Sequence, residues 1–126
     1  MIYDCRRRIL IEVTSDVLNH GKIELSKSEA IFHLIDHMNE YLKRRVYLEG
    51  HKLEVVLKNW TDGSTNNVRF RKEAEEYMFE DLLPIIRDYN LKDGDFIELI
   101  PTFGVVTEPL AMIYKIHRFH LQPPEQ

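Results

Sequence analysis

Ser26-Lys-Ser-Glu-Ala-Ile-Phe-His-Leu-Ile-Asp-His-Met-Asn-Glu-Tyr-Leu-Lys-Arg-Arg45 is the stretch on which the fold turns. Ser26 followed three positions later by Glu29 has the form of a capping box, in which serine and glutamate satisfy the orphan amides of a helix start. Ala30, Ile31, Leu34, Ile35, Met38, Tyr41 and Leu42 then recur at three- and four-residue steps, with polar side chains between them. Lys43, Arg44 and Arg45 place cations where a helix dipole is negative. The spacing predicts one amphipathic helix of roughly four to five turns lying across a sheet.

Strands are expected on both sides of it. Arg8–Val13 sets Ile9, Ile11 and Val13 on one face, and Lys22–Leu25 alternates polar and apolar residues. These two read as a hairpin whose loop exposes Val17 and Leu18. Lys52–Asn59 is the next strand, and Asn67–Lys72 returns after a turn with Val68 and Phe70 on one side and Arg69 and Arg71 on the other. Glu73–Asn90 fits either a helix interrupted at Pro84 or a short strand followed by a helix, and mainly helix is expected. Phe96–Ile100 ends at Pro101, and Leu110–Phe119 alternates around Met112, Tyr114 and Ile116.

Composition bounds the function. The 126 residues are 44% hydrophobic and 30% charged, enough for one core but too few for two. One α+β domain over 1–120 is expected, with a frayed tail over 121–126. Acidic side chains number 21 against 17 basic, for a net charge of −4, which argues against strong non-specific affinity for nucleic acid. The start lacks the pattern of a signal peptide and no stretch reaches the ~18 apolar residues that span a bilayer, so a cytoplasmic protein without membrane contact is expected. Asn59-Trp60-Thr61 has the form of a glycosylation acceptor, which such a protein would not use.

No catalytic or cofactor pattern emerges. His33 and His37 lie one turn apart, without a general-base glutamate or a third ligand, and a solvated helix face is the expected reading. His117 and His120 flank Arg118 near the end. Cys5, the lone cysteine, stands beside Arg6, Arg7 and Arg8, which would favour its thiolate, but no histidine–carboxylate pair can be assigned to it. Trp60 and Tyr47 are expected at core edges. The expectation is a binding protein, not an enzyme, with no cofactor and no metal.

The order hairpin, long helix, strand and closing strand resembles the ubiquitin-like β-grasp, a mixed sheet wrapping one helix. Asp88-Tyr89-Asn90-Leu91 with Ile97 and Leu99 is similar to the stretch entering ubiquitin's last strand. The hairpin, the helix and Glu49-Gly-His-Lys-Leu-Glu-Val-Val also resemble the ubiquitin-like accessory proteins of type VII secretion. The likeness covers Arg8–Asn59 and Asp81–Ile100, with the segment between read as an inserted helical segment and the residues after Pro101 as a C-terminal extension. The chain ends Pro-Pro-Glu-Gln, without the Gly-Gly through which ubiquitin is ligated. Leu91, Ile97 and Leu99 are then core, and Leu18, Val56, Glu98 and Ile100 form an exposed protein-binding face. The implied function is a non-catalytic adaptor that docks another protein. Ile100→Asp should then abolish partner capture at an unchanged thermal midpoint. A viral or mobile-element inhibitor masking a host protein fits the same surface.

A rival resemblance is carried by Thr14-Ser-Asp-Val17, Gly21-Lys-Ile-Glu-Leu25, Lys27 and Glu29-Ala30, which are similar to the opening of the plant-type B-three DNA-binding pseudobarrel. That family has seven strands, and Val68–Arg71, Asn90–Asp95 and Leu110–Phe119 could supply the later ones. It implies DNA contact by Asn19, His20, Lys22, Arg69, Arg71 and Lys72. Against it stand the length of the expected helix and Glu73, Glu75 and Glu76, which would repel phosphates.

Overall fold

A computed structural model describes residues 8–48, 52–101 and 110–118. Seven strands form one sheet: β1 (Ile9–Glu12), β2 (Ile23–Leu25), β3 (Lys52–Asn59), β4 (Thr65–Glu73), β5 (Glu76–Glu80), β6 (Phe96–Pro101) and β7 (Leu110–His117). Their order is β1-β6-β7-β3-β4-β5-β2. Every pairing is antiparallel except β3 with β7. The sheet curls into a nearly closed barrel that opens between β1 and β2, its two end strands. Inside it, Phe70 and Phe79 face each other across β4 and β5 at 5.1 Å between ring centres. Such a cross-strand aromatic pair favours that register over its neighbours.

The expected single helix is two. α2 (Lys27–His33) starts as predicted, with Ser26 Oγ accepting the Glu29 amide at 3.1 Å. It stops after two turns at Leu34, a short 3-10 turn follows over Ile35–His37, and Met38 is extended at φ −85 and ψ 151. α3 (Glu40–Tyr47) then begins afresh, with Asn39 Oδ1 accepting the Leu42 amide at 2.8 Å. Asparagine is a strong N-cap because its short side chain reaches the first free amides, and here it opens a new helix in place of prolonging the first. Ile35, Met38, Leu42 and Val46 are all buried across the break. Of the expected apolar stripe, Ala30, Leu34, Ile35, Met38 and Leu42 are buried, Ile31 is half-buried and Tyr41 is 59% exposed, so the spacing found most of the contacts and was silent about the backbone between them. A bent segment of this kind is not the long helix cradled in a β-grasp.

The expected β1–β2 hairpin is also absent. Thr14 and Gly21 cap a short helix, α1 (Ser15–His20), where a loop was expected. Thr14 Oγ1 accepts the Val17 amide, and Gly21 takes the left-handed conformation at φ 66 and donates to Val17 O. The helix separates the two strands, so β1 pairs with β6 and β2 with β5 at opposite ends of the sheet. Val17, expected to be exposed, is buried, and Leu18 is half-buried against the core.

Of the two forms open to Glu73–Asn90, the structure takes strand then helix: β5, followed by α4 (Leu83–Asp88) with proline in its first turn. Positive φ at Ala74 and Asp81 makes the turns at either end of β5. Ile9, Ile11, Val13, Leu91, Ile97 and Leu99 are buried as the strand patterns and the ubiquitin comparison required. Asn59 is buried too, and its Oδ1 accepts the Thr61 and Asp62 amides in the β3–β4 turn, a structural use of the Asn-Trp-Thr motif. Tyr47 and Trp60 are both about half exposed, the latter with Lys115 Nζ 4.5 Å from its ring centre. No helix among the described residues is long and apolar enough to cross a membrane.

Candidate nucleic-acid interface

The strands place charged side chains in rows. On the outer face of β2, β5, β4 and β3, Glu24, Met78, Arg71 and Lys52 stand opposite one another, and the next row holds Glu80, Arg69 and Glu54. Neighbouring strands lie ~4.8 Å apart, so these side chains interact directly.

Glu80 is the centre of this array. It is 5% exposed, accepts from Lys52 Nζ at 3.0 Å and pairs with Arg71 Nε. Burial alone would push its carboxyl up. The Lys52 hydrogen bond and the charges of Arg71, Lys52 and Lys22 outweigh burial and hold it below the ordinary carboxylate value. Arg71 also reaches Glu73 at 3.2 Å and keeps only 15% of its side chain exposed. Arg69 is freer, 47% exposed, with Glu54 at 3.2 Å and Asp81 at 3.8 Å.

Of the six residues implied by the pseudobarrel resemblance, the structure brings His20, Lys22 and Arg71 to one open groove of about 780 Å³. Arg69 lies beside Arg71 on the same strand face. Asn19 is exposed in the last turn of α1. Lys72 is on the opposite strand parity from Arg69 and Arg71, and its Nζ donates to the Ala74 carbonyl. The end of α1 is fixed in place, since Gly21 O accepts the Leu82 amide at 2.9 Å and a Cβ on Gly21 would lie 2.7 Å from Leu83 Cγ. Only glycine fits this approach.

The residues expected to form a protein-binding face are placed differently. Glu98 and Ile100 do lie outside the main core cluster, on the side of β6 away from Ile97 and Leu99. Yet they are 5% and 3% exposed. Glu98 contacts His117 Nε2 at 2.7 Å and Arg8 at 3.5 Å, and Ile100 stands opposite Ile113. Val56 is half-buried on β3, and Leu18 belongs to α1. The expected exposed apolar patch is not formed by these four side chains, because strand alternation settles which face a residue takes but not what covers that face.

Sequence reasoning missed Glu80 as the shared partner of Arg71 and Lys52. Glu80 fell in a segment expected to be helical, and only pairing of β5 with β4 puts it beside arginine. Among the described residues no group of three or more histidine, cysteine or acidic side chains is placed to hold a metal. His37 is exposed within the 3-10 turn. Cys5 and His120, and the tail over 121–126, lie outside the described residues.

No protein-family model matches the sequence, and no curated protein does. Solved structures share the fold. The structure of Arabidopsis FUS3 in complex with DNA matches with a TM-score of 0.64 at 12% identity, over 87% of this chain and 95% of that one. A hypothetical Arabidopsis thaliana protein matches with 0.56 at 14% identity, over 91% and 93% respectively. The N-terminal domain of Helicobacter pylori LlaJI.R1 matches with 0.55 at 14% identity, over 90% and 82%. At these identities the likeness is one of architecture. It favours the pseudobarrel resemblance over the β-grasp.

Proposed function

We propose that this chain is a non-catalytic DNA-binding domain that approaches a duplex with the end of α1 and the outer face of β4. The observation that carries the reading is Arg69, exposed on the outer face of β4 beside Arg71, with His20 and Lys22 at the near wall of a groove whose remaining charged side chains are carboxylates. It is supported by a fold shared with a protein whose structure includes DNA. A protein-docking adaptor is less well supported, since Glu98 and Ile100, two of its expected anchors, are buried.

The side chains divide by role. Arg71 is committed to Glu80 and Glu73 and acts as a buttress for the face. Arg69 is held only by exposed ion pairs, which are worth about 0–1 kcal/mol and can be exchanged for a guanine edge or a phosphate. Lys22, His20 and Asn19 are exposed and reach from the other side. The interleaved carboxylates repel phosphates that arrive in the wrong register, so specificity rather than bulk affinity is the expected outcome.

Salt dependence follows from the same arrangement. If Lys22 and Arg69 neutralise two phosphates, affinity falls by only ~12-fold between 50 and 200 mM salt, against ~10³–10⁵-fold for a protein with six to ten contacts. The test is selection from a random duplex pool, followed by mobility-shift titration of the selected site at several salt concentrations. Arg69→Ala should cost about 1–3 kcal/mol and relax the selected sequence at one position. Failure to enrich any duplex, or an Arg69→Ala variant with unchanged affinity and preference, refutes the reading.

A further inference from the structure

β1 and β2 end the sheet, and each has a single strand partner among the described residues, β6 and β5 respectively. Their outer edges face the same groove. Leu10 and Glu12 of β1 line one wall, and Ile23 and Glu24 of β2 line the other. An open strand edge presents unpaired amides and carbonyls, which are a template for adding a further strand.

The lining has two layers. Val17 and Ile23 are buried apolar side chains on the core side, while on the outer side Met78 is buried beside Glu24 and Leu10 is 51% exposed. Around them stand the carboxylates of Glu12, Asp16, Glu24, Glu29 and Glu73, against the basic side chains of His20, Lys22 and Arg71, and Arg71 is already committed to carboxylates. The crowding is felt at Glu24. The charge of Glu76 first, then a hydrogen bond to Glu76, burial and the charge of Asp16 all push its carboxyl above the ordinary value. A cation brought into the groove would relieve that repulsion.

We propose that the groove between β1 and β2 takes an extended basic segment of a partner protein, which adds as a strand and bridges the open ends of the barrel. Side chains of a strand alternate in direction, so the segment that fits is one in which apolar residues facing Val17 and Ile23 alternate with lysine or arginine facing Glu12 and Glu24. This site does not depend on the DNA reading. It does share Lys22 and Arg71 with it, so a duplex and such a segment would exclude each other.

The probe is a fluorescent ten-residue peptide of alternating valine and lysine, capped at both ends. Its controls are a block isomer of the same composition and a valine–glutamate peptide. Titration by anisotropy at 150 mM salt should show binding of the alternating basic peptide alone, and hydrogen exchange of the complex should slow in the amides of Ile9–Glu12 and Ile23–Leu25. Glu12→Lys and Glu24→Lys change exposed side chains and should leave the thermal midpoint in place while weakening binding at least tenfold. Equal binding of the block isomer, exchange protection elsewhere in the chain, or affinity unchanged by both charge reversals would overturn the proposal. Duplex binding without peptide binding would overturn it as well while leaving the DNA reading intact.

Discussion

Replacing Glu80 by glutamine keeps the shape of the side chain and removes the charge at the centre of the β2–β5–β4–β3 face. The Glu80 side chain is 7% exposed, with Arg71 at 15% and Lys52 at 36%. Breaking a fully buried ion pair by removing one partner costs ~3–5 kcal/mol, because the remaining charge is stranded. Lys52 can turn to water and glutamine retains an oxygen to accept from it, so the expected loss at neutral pH is about 2 kcal/mol. For a domain of this size that lowers the thermal midpoint by ~8 °C.

The pH dependence gives the decisive comparison. The folded Glu80 carboxyl sits below its ordinary value of 4.5. Its contribution is therefore complete above that value and is lost as the pH falls through the lower folded value. Wild type and Glu80→Gln should differ fully at pH 7 and converge below pH 4.5 as the wild-type carboxyl takes up its proton. Urea denaturation of both proteins at pH 7, 5 and 3, with Arg71→Met and the double variant completing a cycle, measures the difference. A gap that stays constant from pH 7 to pH 3, or one below ~0.5 kcal/mol throughout, refutes the assignment of Glu80 as the charge that holds this face together.

Other expectations can be checked on the same material. Gly21→Ala forces a side chain into a position with φ 66 and a Cβ 2.9 Å from the Leu83 backbone nitrogen, so it should cost at least ~2 kcal/mol. Its thermal midpoint should fall, and the amide resonances of Asn19 to Lys22 and Leu82 to Leu83 should shift together. Ile100→Asp places a carboxylate at a position 3% exposed and should destabilise by ~3 kcal/mol or more. A thermal midpoint within 2 °C of wild type would show that Ile100 faces solvent, as the ubiquitin comparison required.

The sequence by itself determined what depends on near neighbours. Ser26 with Glu29 starts a helix because the two side chains and the free amides are within one turn of one another. Ile9, Ile11 and Val13 declare a buried strand face because alternation is a property of the strand itself. Six of the seven strand segments, several turns and much of the core could be read in this way, whereas β5 fell in a stretch expected to be mainly helical. What only the tertiary structure decided is which strands meet. β1 and β2 are close in sequence and lie at opposite ends of the sheet, since α1 carries the chain from one end to the other. Asn39 could equally have continued a helix on its exposed side or capped a new one. α3 lies against β3 and β4, and burial of Leu42 and Val46 there selects the cap. Glu80 becomes a partner of Arg71 only when β5 is laid beside β4. Propensity and periodicity act over a few residues, whereas strand pairing and charge compensation join residues far apart in the chain, and their free energy is realised only when the whole sheet has formed.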